Sequence, residues 1–175
     1  MRLLRRALVV AASCLVALVS IAWAESKVEV KSVHICCGQC KKAVGTILDK
    51  AGVKGEADQD AGKITFTAED DKAAQKVLDA LAEGGFHGDT GNKDLKIKDD
   101  SGAKDEKVTS LTVKGAHNCC PQCCKAIKAV VGKLDGVESE DAKPKGASFT
   151  VKGNFNSAKL VKALNDAGFH VKVEK

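Results

Sequence analysis

His34-Ile35-Cys36-Cys37-Gly38-Gln39-Cys40 is written a second time in this chain, as His117-Asn118-Cys119-Cys120-Pro121-Gln122-Cys123, followed by Cys124. The offset is 83 residues for the histidine (117 − 34) and the same for each matching cysteine. It persists away from the cysteines. Phe66 and Thr67 fall on Phe149 and Thr150, Lys76, Ala80 and Leu81 on Lys159, Ala163 and Leu164, and Gly85-Phe86-His87 on Gly168-Phe169-His170. A chance likeness between two cysteine clusters would not keep register over that distance, so two copies of one domain are expected. They are read as residues 25–98 and 107–175. The stretch 99–106 between them is polar and charged, as a linker is.

Each copy carries the same run of patterns. Val28 and Val30, like Leu111 and Val113, alternate with polar residues and predict a strand leading into the cysteines. Ala43, Val44, Ile47 and Leu48 then recur at helical spacing, as do Ala126, Ile127, Val130, Val131 and Leu134. After a glycine turn at Gly52 or Gly136, two short strands are expected, near 53–58 with 63–68 and near 137–141 with 147–152. A second amphipathic helix follows. In copy two it is capped by Asn156 or Ser157, and in both copies it is stopped by a glycine, Gly85 or Gly168. The final strand is clear in copy two, 169–174. In copy one a turn-like Gly88-Asp89-Thr90-Gly91-Asn92 intervenes before the alternating Leu95 and Ile97. The fold class is α+β. Two tandem ferredoxin-like βαββαβ domains are expected, each an antiparallel four-stranded sheet with two helices on one face.

The N-terminus is read separately. Three arginines in 1–6 precede an apolar, uncharged run from Ala7 to Ala22, and Ala22-Trp23-Ala24 fits a small-x-small cleavage site. Residues 1–24 are therefore expected to be a signal peptide, giving a secreted or periplasmic protein cut near Ala24. The 16-residue run (7 to 22) falls short of the roughly 20 residues of a spanning helix. Cleavage would remove Cys14 and three basic residues, leaving 25 Lys+Arg against 23 acids (28 − 3 = 25). That balance implies no nucleic-acid partner. No further apolar run is long enough to make the mature chain membrane-spanning.

All seven remaining cysteines sit in the two clusters. A disulfide scaffold would spread them to close long loops, and three plus four pair poorly, so bunching argues for a chemical site. Each cluster falls where a strand meets a helix. Unpaired backbone N–H groups and the helix dipole there favour thiolate over thiol. Cys37 and Cys40, and likewise Cys120 and Cys123, are three apart, so one helical turn can turn both sulfurs to one ion. Such thiolates suit Cu(I) and Hg(II), or Zn(II) and Cd(II) with added ligands. Flanking Gly38, Gln39, Lys41 and Lys42 predict exposed thiols. Adjacent Cys36-Cys37 and Cys119-Cys120 have Cα atoms about 3.8 Å apart, too close for an unstrained disulfide.

A C-x-x-C between the first strand and first helix of a βαββαβ unit resembles the heavy-metal-associated domain of copper metallochaperones, metal-exporting P-type ATPases and the periplasmic mercury-binding protein. Ala167-Gly168-Phe169 is similar to that family's second-helix exit, and copy one has Gly84-Gly85-Phe86 there. The resemblance implies metal ligation by Cys37, Cys40, Cys120 and Cys123, with Phe86 and Phe169 as aromatic neighbours. It implies a non-catalytic protein that sequesters or transfers a soft metal ion, Cu(I) foremost and Zn(II), Cd(II) or Hg(II) as alternatives, at two C-C-x-x-C sites. It also implies partners of two kinds: a metal-transporting membrane protein or another metal-binding domain. Lys41, Lys42, Lys125 and Lys128 would face such a partner or form a solvated helix face.

The chain departs from the family pattern in carrying Ile35 and Asn118 where methionine is usual, and Cys36 and Cys119 just before the first cysteine. Cys36, Cys119 and Cys124 are thus additional candidate ligands. His34 and His117 are read either as ligands or as imidazoles beside them, and strand alternation points His87 and His170 away from whatever Phe86 and Phe169 face. Two other readings use the same residues. One is an extracytoplasmic thiol-disulfide protein, which as a thioredoxin-like enzyme would need a different strand order. The other is an interaction module on the same fold. No Ser/His/Asp set, paired carboxylates or phosphate loop points to hydrolytic catalysis.

Overall fold

The computed structural model describes residues 25–174. The expected signal peptide, 1–24, lies outside the described residues. The first repeat runs β1 (Ser26–Val30), α1 (Gly38–Lys50), β2 (Lys54–Asp58), β3 (Lys63–Ala68) and α2 (Asp71–Glu83). The second runs β4 (Lys107–Lys114), α3 (Pro121–Val131), β5 (Val137–Glu140), β6 (Ser148–Asn156), α4 (Ser157–Asp166) and β7 (Lys172–Glu174). Both sheets are antiparallel, ordered β1-β3-β2 and β5-β6-β4-β7. Strand alternation puts Val28, Val30, Ile64, Phe66 and Ala68 on the covered face of the first sheet, against Val44, Leu48, Ala74, Val77, Leu78 and Leu81 of the helices. Leu111, Val113, Phe149, Val151 and Phe155 meet Ile127, Val131, Leu160, Val161 and Leu164 in the same way in the second.

The expected four-stranded sheet forms only in the second repeat. The first has three strands, and its fourth is reduced to one bridge, Lys31 to Asp89. Gly88 lets the backbones come close there, since a Cβ on it would lie 2.4 Å from the Lys31 carbonyl oxygen. Beyond it, Gly91 at φ +66° turns the chain off the sheet edge. Leu95 and Ile97 are buried all the same, against α2. The Gln75 amide donates to the Lys96 carbonyl at 3.0 Å and accepts the Lys96 N–H at 3.3 Å, doing for this segment what a neighbouring strand would have done. The last strand of the second repeat is also shorter than expected, 172–174 rather than 169–174. Residues 169–170 are taken up by contact with the other repeat.

Helix ends are set by local chemistry. The Asp70 carboxylate accepts the Ala73 N–H at 2.6 Å and Asn156 Oδ1 accepts the Lys159 N–H at 3.0 Å, capping α2 and α4. Both helices end in a glycine with positive φ, Gly85 at +81° and Gly168 at +88°. The Phe86 N–H reaches Leu81 and the Phe169 N–H reaches Leu164, each at 3.0 Å, which closes the turn in the Schellman manner.

These two exits also join the repeats. Phe86 and Phe169 form an antiparallel bridge, with His87 N–H on Gly168 O at 3.1 Å and His170 N–H on Gly85 O at 3.0 Å. The same carbonyls accept from His34 and His117, at 3.4 and 3.3 Å. Every contact in this set has its 83-residue mate, so the repeats meet about a pseudo-twofold axis. The tether is held down too. The Ser101 carbonyl accepts the Val173 N–H at 2.9 Å, the Glu106 carbonyl accepts the Ser157 N–H at 3.0 Å, and Asp100 reaches His170 and Lys172.

Candidate metal centre

Cys37 and Cys120 are the N-cap residues of α1 and α3, both with extended backbone, and neither side chain is spent on capping. Cys40 and Cys123 follow one turn later and point back to the same end. The two sulfurs of each pair are 3.7 Å apart. The helices thus deliver each C-x-x-C as the sequence implied, over unpaired N–H groups at the positive end of the dipole.

The two clusters are not apart. The Sγ of Cys36 lies 3.5 Å from that of Cys120 and 3.5 Å from that of Cys123. The Sγ of Cys119 lies 3.7 Å from that of Cys37 and 3.7 Å from that of Cys40. Within each repeat the Cys36–Cys40 and Cys119–Cys123 separations are 3.8 Å. Six sulfurs, three from each repeat, form one cage between the N-termini of α1 and α3. An ion with metal–sulfur bonds of about 2.3 Å needs sulfurs about 3.8 Å apart in a tetrahedral shell and about 4.0 Å apart in a trigonal plane. The cage matches that spacing closely.

Burial corrects one expectation. The polar neighbours predict exposed thiols, yet Cys40 and Cys123 have 0 % exposure and the other four cage cysteines are half-buried. The polar flanks, Gly38, Gln39, Lys41 and Lys42, are indeed exposed; what covers the sulfurs is the other repeat. Cys124 stands elsewhere. It is buried, and its thiol donates to Asn118 Oδ1 at 3.2 Å rather than joining the cage.

The aromatic residues also cross the interface. His34 stacks on Phe169 and His117 on Phe86, with ring centroids 4.3 Å apart in both pairs. The Nε2 atoms of His34 and His117 are buried without a hydrogen-bond partner among the described residues. His34 groups with Cys36 and Cys123 at ligand spacing. His87 and His170 face away from the cage and pair with each other, Nδ1 to Nδ1 at 3.3 Å, while His170 Nε2 meets Asp100 at 2.8 Å.

The cage is electrostatically uneven. The neighbouring Cys123 thiol, first among several partners, draws Cys40 down to about 2, with burial opposing and His117 assisting. Cys123 rises correspondingly, first because it donates to Cys40 and then through burial. Burial pushes Cys36 up to about 12 and raises Cys119 as well. Burial also works against Cys120, but the Cys123 N–H and the Cys36 thiol outweigh it and leave Cys120 at about 7. His34 is lowered by burial, against the pull of the Cys40 thiolate.

Gly85 and Gly168, helix stops and part of the exit loops in the sequence, have a second role across the interface: a Cβ on Gly85 would lie 2.2 Å from Gly115 O, and one on Gly168 would lie 2.2 Å from His34 N. The available signal was a glycine helix stop followed by Phe-His in both copies, beside cysteine clusters at the same offset.

A thiolate cage at the strand-to-helix junctions of two ferredoxin-like repeats defines a class, the thiolate metal-binding domains. Comparison with family models agrees. A model of the heavy-metal-associated domain matches residues 110–170. Two uncharacterized proteins of Haemophilus influenzae are each 40 % identical over 65 residues, 36 % of this chain and 93 % of theirs. The N-terminal soluble domains of Bacillus subtilis CopA resemble the chain over 87 % of its length and 95 % of theirs, at 15 % identity and a TM-score of 0.32. The chain belongs to the heavy-metal-associated domain family.

Proposed function

We propose that this chain is an exported carrier of soft metal ions, with Cu(I) as the favoured cargo, that holds its ions between the two repeats and passes them to a partner by thiolate exchange. The observation that carries the reading is the convergence of six sulfurs within 3.5–3.8 Å of their neighbours at two helix N-termini. Close sulfurs with ordinary thiol character would gain little from such crowding. A soft cation gains most from it, because the thiols give up their protons and bind as thiolates at this spacing. Burial favours retention over rapid exchange, so hand-off requires the repeats to part at least enough to admit a partner's cysteine. Export rests on the arginine-led apolar segment before Ala24, and a partner would be a membrane transporter or another metal-binding domain.

The test is an anaerobic Cu(I) titration of the reduced chain, residues 25–175, in competition with a chelator of moderate affinity. Tight binding that is lost when Cys37, Cys40, Cys120 and Cys123 are changed to serine supports the reading. Failure to hold Cu(I) against that chelator overturns it. Export is tested by locating the full-length chain after expression in a bacterium, where retention of an uncleaved form in the cytoplasm would refute it.

A further inference from the structure

We infer that each C-x-x-C pair is completed by the additional cysteine of the other repeat, giving two three-thiolate metal sites that both span the interface: Cys37, Cys40 and Cys119 in one, and Cys120, Cys123 and Cys36 in the other. The inference rests on the metal-binding reading above and assigns its ligands.

The geometry favours these sets over the other cysteine groups at the wider ligand spacing, Cys36-Cys37-Cys40, Cys37-Cys119-Cys120 and Cys40-Cys119-Cys123. In the first set all three sulfur separations are 3.7 Å. In the second they are 3.5, 3.5 and 3.7 Å. Each is a closed triangle at ligand spacing, and each is the other's mate under the 83-residue offset. The cysteines within a repeat, Cys36, Cys37 and Cys40, also cluster. However, Cys36 is 3.8 Å from Cys40, farther than from either sulfur of the opposite pair. Cys119 repeats this, at 3.8 Å from its own Cys123 and 3.7 Å from both Cys37 and Cys40. The backbone gives the cause. Cys37 and Cys120 are extended, so the residue before each N-cap projects its side chain to the other side of the chain. An extra cysteine at that position cannot stand symmetrically beside its own pair, but it reaches the facing one.

The consequence is mechanical. An ion in either triangle ties α1 to α3, so loading and docking of the repeats reinforce each other. The positive ends of both helices also oppose the negative charge of the thiolate sites. Each ion is then released only as the repeats separate, which strips the third thiolate first and leaves the pair for an incoming ligand.

The experiment loads the whole mature chain with cadmium-113 and records correlations between the metal and the cysteine β-protons. One cadmium coupled to Cys37, Cys40 and Cys119, and another to Cys120, Cys123 and Cys36, is the expected result. Any pattern in which Cys119 shares no cadmium with Cys37 and Cys40 overturns the inference while leaving metal binding intact. Absence of bound cadmium overturns this assignment, while the Cu(I) titration decides separately on metal binding. In parallel, Cys119→Ser is expected to weaken the ion held by the Cys37/Cys40 pair of the other repeat by more than about 100-fold, beyond the loss caused by removing a group that merely supports a ligand. An unchanged affinity at that pair, with the variant folded by amide NMR, sinks the assignment.

Discussion

Replacing Gly168 by alanine separates the docking of the repeats from their individual folding. The residue sits at φ +88°, where an L side chain costs about 1–2 kcal/mol. Its new Cβ would stand 2.2 Å from His34 N and 2.7 Å from Ser32 O, both backbone atoms of the other repeat that cannot swing away. Relief therefore needs the repeats to move apart, and that movement breaks the His34 and His87 N–H bonds onto the Gly168 carbonyl. At about 1 kcal/mol each, these bring the total to about 3–4 kcal/mol. Gly52 is the matched control. It holds the same position after α1, at φ +70°, with nothing within 4 Å of its would-be Cβ. Gly52→Ala should cost only the backbone penalty of about 1–2 kcal/mol. Urea unfolding monitored by circular dichroism gives the stabilities, small-angle scattering the separation of the repeats, and Cu(I) competition the state of the cage. Gly168→Ala is expected to expand the particle and weaken Cu(I), and Gly52→Ala to do neither. Equal destabilisation by the two, with a compact particle and intact Cu(I) affinity in both, would refute the argument that the glycine exits hold the cage together.

Three further outcomes are expected. Burial, with the neighbouring His170 adding to it, lowers His87 to about 4 from its ordinary 6.5, so the unfolded chain takes up a proton there before the folded one. Stability should thus fall as pH drops from about 6.5 towards 4; a flat thermal midpoint across that window in the metal-free chain would contradict it. Cys124→Ser should leave metal stoichiometry unchanged, because that thiol bonds Asn118 and not the cage, whereas a lost equivalent of Cu(I) would put it among the ligands. Gln75→Ala removes both amide bonds to Lys96 and should cost about 1–2 kcal/mol, with faster hydrogen exchange at the Lys96 amide and undisturbed metal binding. Unchanged protection at Lys96 would show that burial of Leu95 and Ile97 alone secures the segment.

Much of the fold could be read because local signals agree with it. Alternation at Val28 and Val30, helical spacing from Val44 to Leu48, the Asn156 cap and the glycine stops all act within a few residues of themselves, and the structure uses each as expected. The missing fourth strand of the first repeat was less legible. Leu95 and Ile97 alternate as strand residues do, and only a contact from Gln75, twenty-one residues earlier in the chain, decides that they lie along a helix. The cage was half legible. Spacing placed Cys37 with Cys40 and Cys120 with Cys123, since one helical turn fixes them. No local pattern could say that Cys36 faces Cys120 and Cys123, because that contact depends on how two folded repeats meet. The same blindness explains the expectation of exposed thiols. Lys41 and Lys42 do face solvent, and the cover over Cys40 comes from the opposite repeat.

The vicinal cysteine and the glycine exit belong to one device. Each is an oddity within its own repeat: Cys36 follows a strand and is not one of the C-x-x-C pair, and Gly85 has no Cβ beside a crowded backbone. Each makes sense against the other repeat, where Cys36 meets Cys120 and Cys123 and Gly85 receives His117 and His170. A single repeat has three sulfurs at the wider ligand spacing, but the third thiolate closest to its C-x-x-C pair comes from the other repeat. Tethering the second repeat through 99–106 makes the encounter of the two an intramolecular one, at an effective concentration set by a short segment that is itself pinned to the second repeat at Asp100, Ser101 and Glu106. Docking and ligation share one surface, so a change that loosens the backbone bridge at Phe86 and Phe169 also loosens the cage.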